Sequence, residues 1–330
     1  MPDLRIPRCH LLSRPIFIAV FVAWFLSLKV SAQNLVTTDS LLNTGTALTT
    51  TYHAPGTDGI NGIVHPVGNG SASLWNMYDN PWGVNTGSGT IVQTYSGSGT
   101  ITTTMSLTGL PGGGVDGSPF VLYGCDQYYG STHTCWQDQP PQFPSQLSTM
   151  SSLVIDFNYA LSGTLSGTRN IDVIFDNWVC KSDQPKQIPD CLEVILNPYY
   201  NFPGSIGSGG WTFYKTINEP ATINGTSGTW VLDEYSWGAG SLLIAPHSLP
   251  GPAAQALRFN LLDILNIAAT DYKAIFHTTT DYSWLMGIEL GTEFGGNSAQ
   301  SYALTLSKLD VEQTLSGGPK PPTNLTAIVH

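Results

Sequence analysis

Three stretches of alternating sequence carry carboxylates on one side. In an extended chain alternate residues share a face, so in Cys191-Leu-Glu-Val-Ile-Leu-Asn197 the residues Glu193, Ile195 and Asn197 point one way and Leu192, Val194 and Leu196 the other. The leucine–valine face belongs to a core, which leaves Glu193 on the opposite face of a strand too apolar for a random solvated acid. The same reading of Trp284–Glu293 groups Glu289, Gly291 and Glu293 against Ile288, Leu290 and Thr292, and Asn170–Trp178 groups Asp172, Ile174, Asp176 and Trp178. A lone acid on a strand is ordinarily the polar face of an antiparallel sheet. Two that face one another can do more: one protonates a leaving oxygen while the other attacks or stabilises an oxocarbenium-like centre, as glycoside hydrolysis requires.

Aromatic content points the same way. Nine Trp and 14 Tyr in a chain with only 11% charged residues exceed what a core of this size needs, and such rings on an open sheet face form platforms for the apolar side of a pyranose. Trp82, within Asp79-Asn-Pro-Trp-Gly83, sits in a turn that Pro and Gly fix and that would present the ring.

The elements that must position these groups are strands. From Gln33 to about Gly114, Gly, Ser, Thr and Asn dominate, with apolar residues in short alternating bursts. Alternation is clearest in 152–159, 170–178, 191–197 and 284–293. A single stretch, Pro252–Ala269, has 3.6-residue periodicity and is predicted as a helix, with Ala253, Leu257, Leu261, Ile264, Leu265 and Ala268 on one face. The pattern predicts an all-β sandwich carrying one helix.

The 330 residues suit one large domain or two small ones, and a net charge of −11 with few, scattered Lys and Arg excludes nucleic acid as a partner. Arg5, Arg8 and Arg14 precede a 14-residue apolar run, Pro15–Leu28, and Val30-Ser31-Ala32 suits a signal peptidase. Such a run spans only about 21 Å as a helix, short of a hydrocarbon core of roughly 30 Å, so residues 1–32 are expected to be a cleaved signal peptide, leaving a secreted protein without a membrane anchor. Four cysteines follow it. Cys125, Cys135, Cys180 and Cys191 suggest two local disulfide loops, 125–135 and 180–191, although three pairings are possible and their spacing favours no zinc site. Residues 33–315 form the expected domain, and 316–330 read as a Pro-rich linker or stub. No nucleotide-binding glycine loop and no metal-ligand spacing appear, so no cofactor or metal is expected.

Six segments in order carry a family resemblance: Asn80-Pro-Trp-Gly83, Pro119–Gly124, Asn170–Phe175, Leu192-Glu-Val-Ile-Leu196, Phe259–Leu265 and Gly291-Thr-Glu-Phe294. Together they are similar to glycoside hydrolase family 12, over roughly residues 50 to 312. The resemblance implies a two-sheet β-jelly-roll sandwich with a concave substrate cleft and one helix packed on the outer sheet. It implies a secreted endo-β-1,4-glucanase or xyloglucanase working by a retaining mechanism, with Glu193 as nucleophile and Glu293 as acid/base. Asp172 matches the aspartate held against the nucleophile, with Asp176 the fallback; Asn80 and Trp82 match the sugar-binding turn. The tryptophan expected four residues after the nucleophile is Asn197, followed by Pro198-Tyr-Tyr200, so Asn197 and Tyr199 are the substitute substrate contacts. The implied partner is a β-glucan, and the protein is expected to be a monomer. A non-catalytic, lectin-like jelly roll would use the same aromatics, and a purely structural sandwich would explain strands and disulfides but not the ordered motifs.

Overall fold

The computed structural model describes residues 35–40, 47–54, 64–67, 75–81, 84, 86–97, 99–111, 114–124, 143–163, 170–185, 190–202, 204–207, 210–238, 240–296 and 298–316. All belong to the unit Leu35–Ser316. The expected signal peptide, Trp82, Cys125, Cys135 and all but the first residue of the expected stub lie outside the described residues.

Alternation becomes strand almost throughout. In chain order the strands are β1 (Leu35–Ser40), β2 (Leu48–Ala54), β3 (Val64–Val67), β4 (Trp75–Tyr78), β5 (Ser88–Tyr95), β6 (Ile101–Thr108), β7 (Val115–Gly117), β8 (Phe120–Gly124), β9 (Ser145–Gln146) and β10 (Met150–Gly163). They continue with β11 (Asn170–Cys180), β12 (Cys191–Asn201), β13 (Thr212–Ile223), β14 (Thr226–Trp237), β15 (Ser241–Pro246) and β16 (Ala254–Asn260). Helix α1 (Leu261–Ile275) follows, then β17 (Trp284–Leu285), β18 (Gly287–Gly291), β19 (Phe294–Gly295) and β20 (Ala299–Leu315).

Hydrogen bonding runs in two rows. One row is β3-β4-β8-β18-β11-β12-β15-β14-β13, antiparallel except for the parallel pair β12–β15. The other is β2-β5-β6-β20-β10-β16, and β13 joins it by pairing with β16. The rows pack face to face. Phe157 of β10 meets Phe175 of β11 edge-on at 4.9 Å, and Phe259 of β16 meets Phe175 at 5.8 Å. These rings belong to one apolar core that also takes in inward-facing residues of both layers, such as Leu192, Val194 and Leu196, and the buried side of the helix, such as Leu261, Ile264 and Leu265. This is the β-sandwich predicted.

The helix differs from its prediction. Residues 254–260 are strand and the helix occupies 261–275. Leu257 and Phe259 alternate into the core while β16 is hydrogen-bonded on both sides, to β10 and to β13. Tertiary pairing outweighs the modest helix preference of the Ala-rich stretch. Asn260 ends the strand and opens the helix: its Oδ1 accepts from Leu153 N–H at 2.8 Å and its Nδ2 donates to Asp263 at 2.9 Å. The helix packs chiefly on β10, in the second layer. At the end of the β11–β12 hairpin Cys180 and Cys191 are register partners and form a disulfide.

Candidate active site

The face of the first layer turned away from the core can be followed by register. Trp178 of β11, itself buried in the main core, opposes Glu193 of β12 in register; Asp176 opposes Ile195 on one side and Glu289 of β18 on the other, and Glu193 pairs with Ser241 of β15. An apolar cluster distinct from the core, including Ile174, Ile195, Tyr200, Tyr235 and Leu243, floors this face.

Glu193 is held from β15. The Ser241 hydroxyl donates to its Oε2, and its own N–H donates to Gly240 O at 3.2 Å. Glu293 stands on the other side of β11, in the two-residue gap between β18 and β19. The chain closes tightly there because Gly291 lies against Pro119: a Cβ at Gly291 would come within 2.2 Å of Pro119 O. Thr292 Oγ1 donates to Asp172 O at 2.5 Å, Glu293 N–H donates to Asp172 Oδ1 at 2.7 Å, and Asp172 N–H donates back to Glu293 O at 3.2 Å. The side chains of Glu293 and Asp172 are also hydrogen-bonded to each other. Asn197 completes the clamp, with Nδ2 donating to Asp172 Oδ2 at 2.8 Å and to Val173 O at 3.2 Å.

The two glutamates differ electrostatically. Both keep part of their surface open, while Asp172 is fully buried. Burial raises the pKa of Glu193 and the Ser241 hydroxyl, which favours the ionised form, pulls it back. Burial raises Glu293 well above the usual glutamate range, and the charges of Asp172, Asp176 and Glu193 push in the same direction. Asp172 is pushed up to about 7 by burial, offset by its bonds from Glu293 and Asn197. No lysine or arginine is among the groups that shift these three acids. Of the two glutamates, Glu293 is thus the more strongly biased toward its protonated form.

Several expected residues are placed differently. Asp172 does not stand against Glu193: it opposes Tyr200, six residues along β11 from Trp178, and its bonds run to Glu293 and Asn197. The acid sharing a face with Glu193 at that end of β11 is Asp176. Tyr199 and Asn197 are not open to a substrate, being 3% and 0% exposed. The cause is a bulge in β12. Between the pairs Val173–Tyr199 and Phe175–Leu196, both Asn197 and Pro198 oppose Ile174. The extra residue reverses alternation, so Tyr199 turns into the core and Tyr200 joins the floor of the open face. Pro198 inside an apolar strand is the sequence feature that announces this bulge. Asn80 lies at the other end of the layer with a left-handed φ of 31°, and its carbonyl accepts from Ser118 N–H at 3.0 Å. Ser241 is absent from the sequence-based set because its parallel pairing with Glu193 spans 48 residues and leaves no local trace.

No protein-family sequence model and no curated protein sequence matches the chain. Solved structures do match it in fold. A metagenome-derived glycoside hydrolase family 12 endoglucanase superposes with a TM-score of 0.55 at 17% identity, over 82% of this chain and 99% of its own. Endoglucanase cel12A from Rhodothermus marinus gives 0.54 at 15%, over 81% and 100%. A family 12 xyloglucanase from Bacillus licheniformis, solved with a ligand, gives 0.52 at 14%, over 80% and 98%. The chain therefore has the β-jelly-roll fold of these glycoside hydrolases.

Proposed function

We propose that this chain is a family 12 glycoside hydrolase, exported from the cell and cleaving β-1,4-glucan within the chain, with Glu193 as nucleophile and Glu293 as acid/base. The observation that carries the reading is the unequal setting of the two glutamates: a hydroxyl donor on Glu193, three carboxylates around Glu293. In this mechanism ionised Glu193 attacks the anomeric carbon as the glycosidic bond breaks and the Glu293 proton passes to the leaving oxygen. Water then gives its proton to Glu293 and its oxygen to the anomeric carbon, freeing Glu193. Asp172 acts on Glu293, holding one edge of its carboxyl and disfavouring loss of the proton. The disulfide between Cys180 and Cys191 suits an oxidising compartment, and no helix among the described residues is long and apolar enough to cross a membrane.

Reducing-sugar release from carboxymethyl-cellulose, barley β-glucan and tamarind xyloglucan tests the reading, with Glu193→Gln beside the wild type. Hydrolysis by the wild type and its loss in the variant by about 10³-fold or more are expected. Binding of all three polymers without hydrolysis would instead identify a lectin-like protein. The anomer of the first product separates the two geometries: retention needs carboxyls about 5–5.5 Å apart, inversion about 6.5–9.5 Å.

A further inference from the structure

The open face does not end at the carboxylates. Glu193 pairs with Ser241, Ser241 pairs with Trp237, and in the next register Ile195, Leu243, Tyr235 and Phe213 follow one another across four strands. Partners in register share a face, so Trp237, Tyr235 and Phe213 continue the surface that carries Glu193. Trp237 lies two strand spacings, about 9.6 Å, beyond Glu193 on the side away from Glu293. Among the described residues the exposed large aromatics are Phe213 (55%), Trp237 (53%) and Tyr214 (41%), all at this end. A core has no use for them there.

The array is built and held. Trp211 stands against Trp237 with ring centroids 5.7 Å apart and planes tilted by 43°, forming a corner rather than a flat stack. The segment bringing Trp211 there is tied down: Ser205 N–H donates to Phe202 O at 3.0 Å, Trp211 N–H to Ser205 O at 3.1 Å, and Gly207 N–H to Trp211 O at 2.8 Å, while Tyr200 OH and Ser205 Oγ are hydrogen-bonded. Gly210 has φ +109° and its backbone lies under the Trp237 indole; a Cβ there would come within 2.7 Å of Nε1. A fixed pair of indoles costs little entropy to use, which suits stacking on a rigid neutral ring.

We infer that Trp237 and Trp211 form a sugar-binding subsite for the stretch of glucan chain beyond the scission point on the β14 side of Glu193, about two rings away. This rests on the proposed glucanase reading and adds to it a preference for long chains. The polymer is the occupant because the aromatic face is continuous with the carboxylate-bearing face and shares its strands.

The test uses cello-oligosaccharides from three to six units with the wild type, Trp237→Ala and Trp237→Phe, and hexasaccharide binding by titration calorimetry in Glu193→Gln with and without Trp237→Ala. For the six-unit substrate Trp237→Ala should raise KM roughly 10-fold with kcat little changed, the deficit shrinking as the chain shortens, and Trp237→Phe should recover part of it. Gly210→Ala, which displaces the indole without deleting it, should give the same length dependence. An equal loss at every length, or none, overturns the inference, as does a change from dimer to monomer on size exclusion in Trp237→Ala, which would make this face a self-contact. If the wild type hydrolyses nothing yet hexasaccharide binding still needs Trp237, the catalytic reading fails and the subsite stands. Hydrolysis indifferent to Trp237 has the opposite meaning.

Discussion

Two groups of acids in this molecule look alike and behave differently. On the open face, Asp172, Asp176, Glu193 and Glu293 share one electrostatic environment. Under the helix, Glu234 of β14 and Asp271 of α1 form a second group in which burial, then the neighbouring Asp271, pushes Glu234 up to about 8. Raised pKa values therefore do not tell the two apart. Lysine does. Lys215 pairs with Asp271 and stands 4.0 Å from Glu234, lowering the cost of charge there, and Glu234 has no exposed surface at all. No lysine or arginine is among the groups that shift Asp172, Glu193 or Glu293, and three of the four open-face acids, Asp176, Glu193 and Glu293, keep part of their surface open. A compensated and sealed acid cluster holds structure together; an uncompensated and open one stores a proton that a substrate can take.

Removing one carboxyl from each group separates them most sharply. Glu293→Gln should lower hydrolysis of β-glucan by about 10³-fold while leaving far more activity on an aryl glycoside whose leaving group needs no proton. Glu234→Gln, assayed alongside, should stay within about 2-fold of wild type on both substrates. Equal losses in the two variants would erase the distinction. A smaller effect is expected at Asp172. Asp172→Asn removes the charge that helps keep Glu293 protonated, so the alkaline limb of kcat/KM should move down by about one pH unit, with roughly 10-fold lower kcat/KM above neutrality. An unmoved limb would reduce Asp172 to packing.

The strand pattern exposed much of this contrast in advance, and the reason is local. Period-two alternation in 152–159, 170–178 and 191–197 can be read without knowing the neighbours, because successive residues of a strand take opposite faces. Glu193 and Asp176 follow from that rule. What escaped has non-local causes. The bulge at Asn197–Pro198 reversed the faces of Tyr199 and Tyr200, and turned Asn197 from an expected substrate contact into the clamp on Asp172. Ser241, Trp211 and Trp237 become part of the face only through the pairing of β12 with β15 and β15 with β14. The helix was placed early because β16 owes its existence to partners on both sides.

The mildest expected effect lies in the sealed cluster and concerns pH. Glu234 holds its proton to about pH 8 when folded but releases it near the ordinary glutamate value when unfolded. Between those values the folded chain binds a proton that the unfolded chain lacks, so stability is full at lower pH and drains away as pH rises through that window. Glu219, raised to about 7 mainly by burial, and Asp79, raised to about 6 by burial against a bond from Thr50, act with the same sign. The melting temperature should therefore fall between pH 5 and pH 9. Glu234→Gln removes one contributor: the two proteins should nearly match at pH 5, and the variant should melt higher as pH rises to 8.5, by roughly 2–4 °C for each kcal/mol lost at about 1.4 kcal/mol per pH unit of the window. Parallel curves for the two proteins would mean that Lys215 already neutralises Glu234 when folded, and the sealed group would then be a fully charged triad rather than a protonated one.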